Sequence, residues 1–126
     1  MNEHEAATLL QVPNLTHLAS PLHAARELAR SFQHVVITLG ASGAVWASGQ
    51  ALGQQASHSV RAVDTTGAGD AFCGALCAAL DDGLPLEHAV AWGNAAGALT
   101  ATKPGTVAAL PSFDALRALL GNTSFI

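Results

Sequence analysis

The segment Asp64–Asp70 reads Asp-Thr-Thr-Gly-Ala-Gly-Asp, and its residue types suit anion binding and proton transfer. Gly67-Ala68-Gly69 is a turn of small residues, and apolar residues follow it at helical spacing: Phe72, Leu76, Ala79 and Leu80. A glycine turn that leads into a helix leaves backbone N–H groups unpaired at one point, where an anion can bind. Asp70 falls in the first turn of that helix, where the helix dipole favours a carboxylate. A plainer reading is that the aspartates cap the helix and the glycines only turn the chain.

Predicted elements flank this segment on both sides. Val60–Val63 resembles the end of a strand, and the helix that starts near Asp70 should stop at Gly83. A second helix is predicted from Leu86 to about Thr102, rich in alanine and glycine, as suits close packing. Within it Asn94 is a polar residue on an apolar face and therefore needs a partner. A last helix, Phe113–Leu120, follows Pro111-Ser112.

The first half of the chain predicts two helices and two strands. Asn2 and Glu5 have the spacing of a capping box at the start of a helix. Ser20-Pro21 should begin a second helix that continues to Phe32. The apolar run His34–Leu39 is typical of a strand buried on both faces of a parallel sheet. Ala44–Ala47 is a second short strand, and a polar extended stretch runs from about Leu52 to Val63.

Composition restricts the class of protein. The 126 residues fit one domain, 50% are hydrophobic and 11% are charged, which is a globular composition. The net charge is −4 with only five Lys and Arg residues, so a nucleic-acid-binding surface is not expected. No apolar run reaches membrane-spanning length and the polar N-terminus does not resemble a signal peptide, so we expect a cytoplasmic protein without a membrane partner.

Two cysteines, Cys73 and Cys77, lie one helical turn apart after the glycine turn. A metal or redox pair is conceivable at this spacing, but no other cysteine exists to complete a site. We therefore expect them to be small, buried apolar side chains.

Asp-Thr-Thr-Gly-Ala-Gly-Asp resembles the signature of the ribokinase-like (phosphofructokinase-B type) carbohydrate kinases. Thr38-Leu39-Gly40-Ala41-Ser42-Gly43 is similar to the family's loop against ATP, and Asn94–Pro111 to its C-terminal segment. The resemblance implies an α/β protein, the C-terminal part of a three-layer α/β/α fold without its N-terminal strands and lid. It further implies ATP-dependent phosphoryl transfer to a hydroxyl of a sugar or sugar-like substrate.

The resemblance also implies roles for particular residues. Asp70 would be the catalytic base, and the amides of Gly67, Ala68 and Gly69 the anion hole. The nucleotide and its Mg²⁺ would be bound by residues of both halves of the sequence: Asn2, Glu5, Thr38, Leu39, Gly40, Ala41, Ser42, Gly43, Gly69, Asp70 and Asn94. A K⁺ ion would be held by Asp64, Thr66, Thr100, Lys103 and Gly105, although Ala109 stands where ribokinase has a serine ligand.

The match begins in the middle of the family's fold, so the sugar pocket is not expected here. The resemblance therefore implies a complementing N-terminal half or a homo-oligomer as partner. One alternative is a non-catalytic nucleotide-binding or structural fragment. Another is a dinucleotide-binding domain, which needs Gly-x-Gly-x-x-Gly, and the third glycine is missing after Gly69. The sugar itself cannot be inferred from these residues.

Overall fold

The structure is a computed structural model and describes residues 1–121. The chain divides into two compact units, one of residues 1–56 and one that starts at Ser57. Each unit has its own elements and is described separately. That residues 1–126 make a single domain stays a prediction.

The first unit has two helices and a three-stranded sheet. Helix α1 spans Glu3–Leu9 and α2 spans Pro21–Leu28, each beginning where the sequence predicts. Helix α2 ends four residues before Phe32, because the N–H groups of Arg30 and Ser31 bond to carbonyls three residues back and tighten its end.

The sheet contains β1 (His34–Thr38), β2 (Ala44–Ser48) and β3 (Ala51–Gln55), all antiparallel in the order β1-β2-β3. The prediction that β1 belongs to a parallel sheet is thus wrong for its pairing with β2, which is antiparallel. Residues 39–43 are too few for the crossover connection that parallel strands need. Burial also alternates along the strand: Val35 and Ile37 are buried, whereas His34 is exposed.

The first two residues of the chain pair in parallel with the edge of β1 that β2 does not occupy. The amino group of Met1 donates to the Val36 carbonyl at 3.1 Å, and the N–H of Thr38 donates to the Met1 carbonyl at 2.9 Å. Asn2 and Thr38 form an isolated parallel bridge. This pairing positions the start of α1 beside the end of β1.

The second unit is helical, with α3 (Ala68–Asp81), α4 (Leu86–Ala101) and α5 (Phe113–Leu120). Gly83 ends α3 with a φ of +84°, and the Ser112 hydroxyl caps α5, both as predicted. The strand predicted at Val60–Val63 is absent from the described structure, since the N–H groups of Val63 and Asp64 both donate to the Ala101 carbonyl, at 2.8 and 3.2 Å.

Helices α3 and α4 approach each other closely at two glycines of α4. A Cβ at Gly93 would lie 3.0 Å from the Phe72 ring, and one at Gly97 would lie 3.2 Å from the Ala68 carbonyl oxygen. The small residues of α4 therefore pack on a helix, and the contact includes the first residue of α3. Trp92 of α4 also stacks on Phe113 of α5, with ring centroids 5.4 Å apart.

Candidate active site

The start of α3 is capped by backbone geometry alone. Gly67 is the N-cap, with a left-handed φ of +79° and no side-chain hydrogen bond. The Ala68 N–H donates to the Thr65 carbonyl at 3.1 Å, and the Ala71 N–H donates to the Gly67 carbonyl at 2.9 Å. Within residues 1–121, the N–H groups of Gly67, Gly69 and Asp70 have no acceptor. Open amides at a helix start form a site for an anion.

Two of the three residues that carry these amides are exposed. These are Gly69 and Asp70, and a Cβ added at Gly69 would meet no atom within 4 Å, whereas Gly67 is half-buried. The Asp70 carboxylate lies in the first turn of α3 and accepts no hydrogen bond from the described part of the chain. A free carboxylate therefore stands beside free N–H donors. The roles of Asp70 as a base and of these amides as an anion hole stay predictions.

Asp64 joins the segment before α3 to the loop after α4. One carboxylate oxygen accepts the Thr66 N–H at 2.9 Å and the other accepts the Gly105 N–H at 3.2 Å. The Thr66 side chain, followed by the Thr66 and Gly105 backbone amides, lowers the pKa of Asp64 below its usual value, and burial opposes this weakly. The carboxylate thus stays ionised in neutral solution and holds two loops of the second unit together.

The hydrogen bonds of Asp64 bring together some of the residues predicted to bind K⁺. Asp64, Thr66 and Gly105 are joined by hydrogen bonds, and the Lys103 N–H donates to the Thr100 carbonyl at 3.3 Å. Carboxylate and carbonyl oxygens from two adjoining segments are the donor chemistry that a hard cation requires. Ala109, which lacks the hydroxyl, is buried.

Asn94 is buried in α4 and is only 5% exposed. The same helix buries Thr100, whose hydroxyl donates to the Ala96 carbonyl at 2.9 Å. A nucleotide contact by Asn94 stays a prediction.

In the first unit, Asn2 and Glu5 form the predicted capping box. The Asn2 side-chain oxygen accepts the Glu5 N–H at 2.9 Å, and a Glu5 carboxylate oxygen accepts the Asn2 N–H at 2.7 Å. Glu5 is exposed and its second oxygen is available to a metal or its waters. The capping reading of this motif is therefore confirmed, and the Mg²⁺ role stays a prediction.

The loop predicted to contact ATP follows β1 directly. Leu39 donates its N–H to the Gly43 carbonyl at 2.8 Å, and Gly40–Ser42 form one 3₁₀ turn. Gly40 and Gly43 both have positive φ, +56° and +94°, so both glycines serve the turn itself. Since Asn2 bridges Thr38, the structure brings the capping box and the start of this loop to the same end of β1.

Three features of the site were not predicted from the sequence. Gly93 and Gly97 fix the approach of α4 to α3, and their Gly-x-x-x-Gly spacing is the signal that points to it. Thr106 lies against Gly67, with its Cα 3.7 Å from a Cβ built there. The Asp70 amide, rather than that of Ala68, belongs to the set without an acceptor, because the 64–67 turn uses the Ala68 N–H internally.

The cysteines differ from expectation. Cys73 and Cys77 are both free and both exposed on α3. The side of α3 that α4 covers carries Ala71, Phe72 and Ala79, and the two thiols lie outside it. In the described part of the chain, no three His, Cys, Asp or Glu side chains gather closely enough to hold a metal ion. No helix of residues 1–121 has the length and apolar character to cross a membrane.

Known proteins resemble this chain along most of its length. The sequence model of the pfkB family carbohydrate kinases matches residues 1–112. This chain belongs to that family. The ribokinase of Schizosaccharomyces pombe is 37% identical over 117 residues, which are 88% of this chain and 36% of that protein. The fructokinase-1 of Oryza sativa is 42% identical over 85 residues, or 62% of this chain and 26% of the relative.

Solved structures of the family agree in fold. A fructokinase from Vibrio cholerae, determined with fructose, ADP and a calcium ion, has a TM-score of 0.78 and 34% identity, and the match covers 95% of this chain and 39% of that one. A double mutant of that enzyme was determined with fructose, ADP and a potassium ion. The predicted ribokinase-like α/β fold is confirmed for the part that the chain covers. The chain spans about a quarter to two fifths of the length of the proteins it matches.

Proposed function

We propose that this chain supplies the catalytic base and anion hole for ATP-dependent phosphorylation of a sugar or sugar-like hydroxyl. One observation carries the proposal: the exposed, unpaired carboxylate of Asp70 stands in the first turn of α3 beside N–H groups that have no acceptor in residues 1–121. Membership of the pfkB family supports the reaction class, and the fructokinases and ribokinases among its relatives support a sugar as acceptor.

Asp70 would accept the proton of the attacking hydroxyl and hold its oxygen in line for transfer. The N–H groups of Gly67, Gly69 and Asp70 would hold the charge that develops on the transferred phosphoryl group. The Ala68 N–H could contribute only by giving up its bond to the Thr65 carbonyl. When bound, ATP would supply the phosphoryl group and Mg²⁺ would neutralise part of its negative charge.

Other residues would position these groups. In the second unit, Asp64 would keep the glycine turn and the Lys103–Gly105 loop together, and their carbonyl oxygens suit K⁺. In the first unit, Asn2, Glu5 and the Gly40–Gly43 turn would serve the nucleotide and its Mg²⁺. The chain has a single lysine, Lys103, so backbone amides and ions would provide most of the neutralisation.

The rival to this proposal is a nucleotide-binding or structural fragment without catalysis. By resemblance, the family's sugar pocket lies outside the matched segment, and a base without a positioned acceptor forfeits a proximity effect of roughly 7–11 kcal/mol. We therefore expect the chain alone to bind ATP without phosphorylating sugars, and a complementing segment to restore turnover. A cytoplasmic location is part of the same proposal.

The test joins this chain to the part of the S. pombe ribokinase that it does not match and measures ATP-dependent phosphorylation of ribose and fructose. Asp70→Asn should lower kcat by at least ~10²-fold, because the amide cannot accept the proton. Asp81→Asn, at the other end of α3, removes the same charge from an exposed site and should leave kcat within about twofold. Near-normal kcat in Asp70→Asn would exclude Asp70 as the base.

A second measurement does not require the chimaera to fold. Addition of ATP to the ¹⁵N-labelled 126-residue chain should shift the amide resonances of Gly67, Gly69 and Asp70. Unchanged resonances at saturating ATP would contradict the anion site, whatever the activity of the chimaera.

A further inference from the structure

Helix α3 has an exposed face on which only Asp70 has a role in the proposed reaction. The face contains Cys73, Gly74 and Cys77, with Asp70 before them and Asp81 after them. Its orientation is fixed from the opposite side, where Phe72 packs against Gly93 of α4 and Ala79 is fully buried. Both thiols therefore face away from the core of the second unit.

We propose that Cys73 and Cys77 together bind one soft monovalent cation of the Cu(I) class, through both sulfurs. Residues four apart on a helix have Cβ atoms about 5–6 Å apart and point along the same face, so two thiolates can converge on one ion. Thiolates select soft ions such as Cu(I) over hard ions such as Mg²⁺.

The surroundings of the two thiols favour a cation. Gly74 lies between them, and a Cβ built there would meet no atom within 4 Å, so the surface is open to a ligand. Asp70 lies one turn before Cys73 and Asp81 one turn after Cys77, and α3 contains no basic residue. Two carboxylates that bracket the pair attract a positive ion in preference to an anionic or neutral reagent.

The number of protein ligands indicates which metal ion the pair can bind. Structural zinc takes four protein ligands, and residues 1–121 offer no third His, Cys, Asp or Glu in reach of the pair. A disulfide needs Cβ atoms about 3.5–4.5 Å apart, closer than an intact helix holds them at this spacing. The pair is thus suited to an ion that two thiolates satisfy. Binding forms two S–Cu bonds and releases the two thiol protons to solvent, with no change of oxidation state.

The experiment titrates Cu(I) into the reduced 126-residue chain without oxygen, in competition with the chromophoric ligand bicinchoninate. One ion per chain is expected. Cys73→Ser and Cys77→Ser should each weaken binding by ~10²-fold or more, because the second thiolate acts as an intramolecular ligand at high effective concentration.

The matched control is Cys77→Ser combined with Ala78→Cys. It keeps two exposed thiols on α3 but rotates the second about 100° around the helix, so binding should fall to the level of the single variants. Wild-type affinity in this control, or one ion shared by two chains, would overturn the proposal. The test does not depend on the proposed kinase activity, since it measures only the bound ion.

Discussion

The starts of α1 and α3 carry an acidic residue at the same helical position, yet they have opposite hydrogen bonding. At α1, the N-cap Asn2 and the third residue Glu5 exchange side-chain bonds with each other's N–H groups. At α3, the N-cap is Gly67, the third residue is Asp70, and no side chain caps the helix. The first arrangement uses its donors and its carboxylate for stability. The second leaves them available to a ligand, because the glycine cap has no side chain that could accept their hydrogen bonds.

The largest expected effect concerns the cap of α3. Gly67→Ala should destabilise the second unit by about 1–2 kcal/mol, because a residue with a Cβ is strained at φ +79°. The added Cβ would meet Thr106 only at ordinary contact distance, 3.7 Å, so the loss reports backbone conformation. Urea unfolding followed by ¹⁹F NMR of 5-fluorotryptophan measures it, since Trp92 reports the second unit and Trp46 the first.

Gly69→Ala is the matched control for Gly67→Ala. It adds the same Cβ two residues later, within α3 and into open space, and should stabilise the unit by about 0.5–1 kcal/mol. Equal effects of the two substitutions would show that the left-handed cap is not what holds the turn.

A smaller effect is expected at the cap of α1. Asn2→Ala removes the acceptor for the Glu5 N–H and should cost about 1 kcal/mol in the first unit, seen at Trp46. Glu5→Gln should cost much less, since its amide oxygen still accepts the Asn2 N–H. Equal losses would mean that the charge of Glu5, and not its hydrogen bond, stabilises α1.

The smallest effect is a pH dependence of the second unit. The pKa of Asp64 is lower in the folded protein than the ordinary 3.8, so the unfolded chain takes up the proton first as the pH falls. The stabilisation is complete above pH 3.8 and declines as the pH drops through the folded pKa. Asp64→Asn should reduce the pH dependence of the free energy of unfolding of the second unit, followed at Trp92. An unchanged slope would show that other carboxylates cause the pH dependence.

Local chemistry could be predicted from the sequence, and tertiary partners could not. The caps at Asn2, Ser20 and Ser112 and the stop at Gly83 depend on a few adjacent residues, and all four are confirmed. The same holds for the glycine turn before α3, because its small residues and the apolar residues at helical spacing are adjacent in the sequence.

Two errors concern what lies opposite a segment. Val60–Val63 has the residues of a strand but bonds to the end of α4, which the local pattern cannot reveal. Cys73 and Cys77 are small and apolar enough for a core, yet the rotation of α3 is fixed by Gly93 and Gly97, twenty residues later in the chain. The roles of Asp70, Asn94 and the ion ligands stay predictions, because they need a ligand to test them.

The bond between Asp64 and Gly105 joins residues 41 positions apart, across both α3 and α4. Contacts between the two helices and their turn close shorter loops and can form earlier in folding, whereas this one must wait until both helices have docked. The junction should therefore be the last part of the second unit to assemble and the first to open. In native-state hydrogen exchange, the Gly105 amide should lose protection well before the amides of α4.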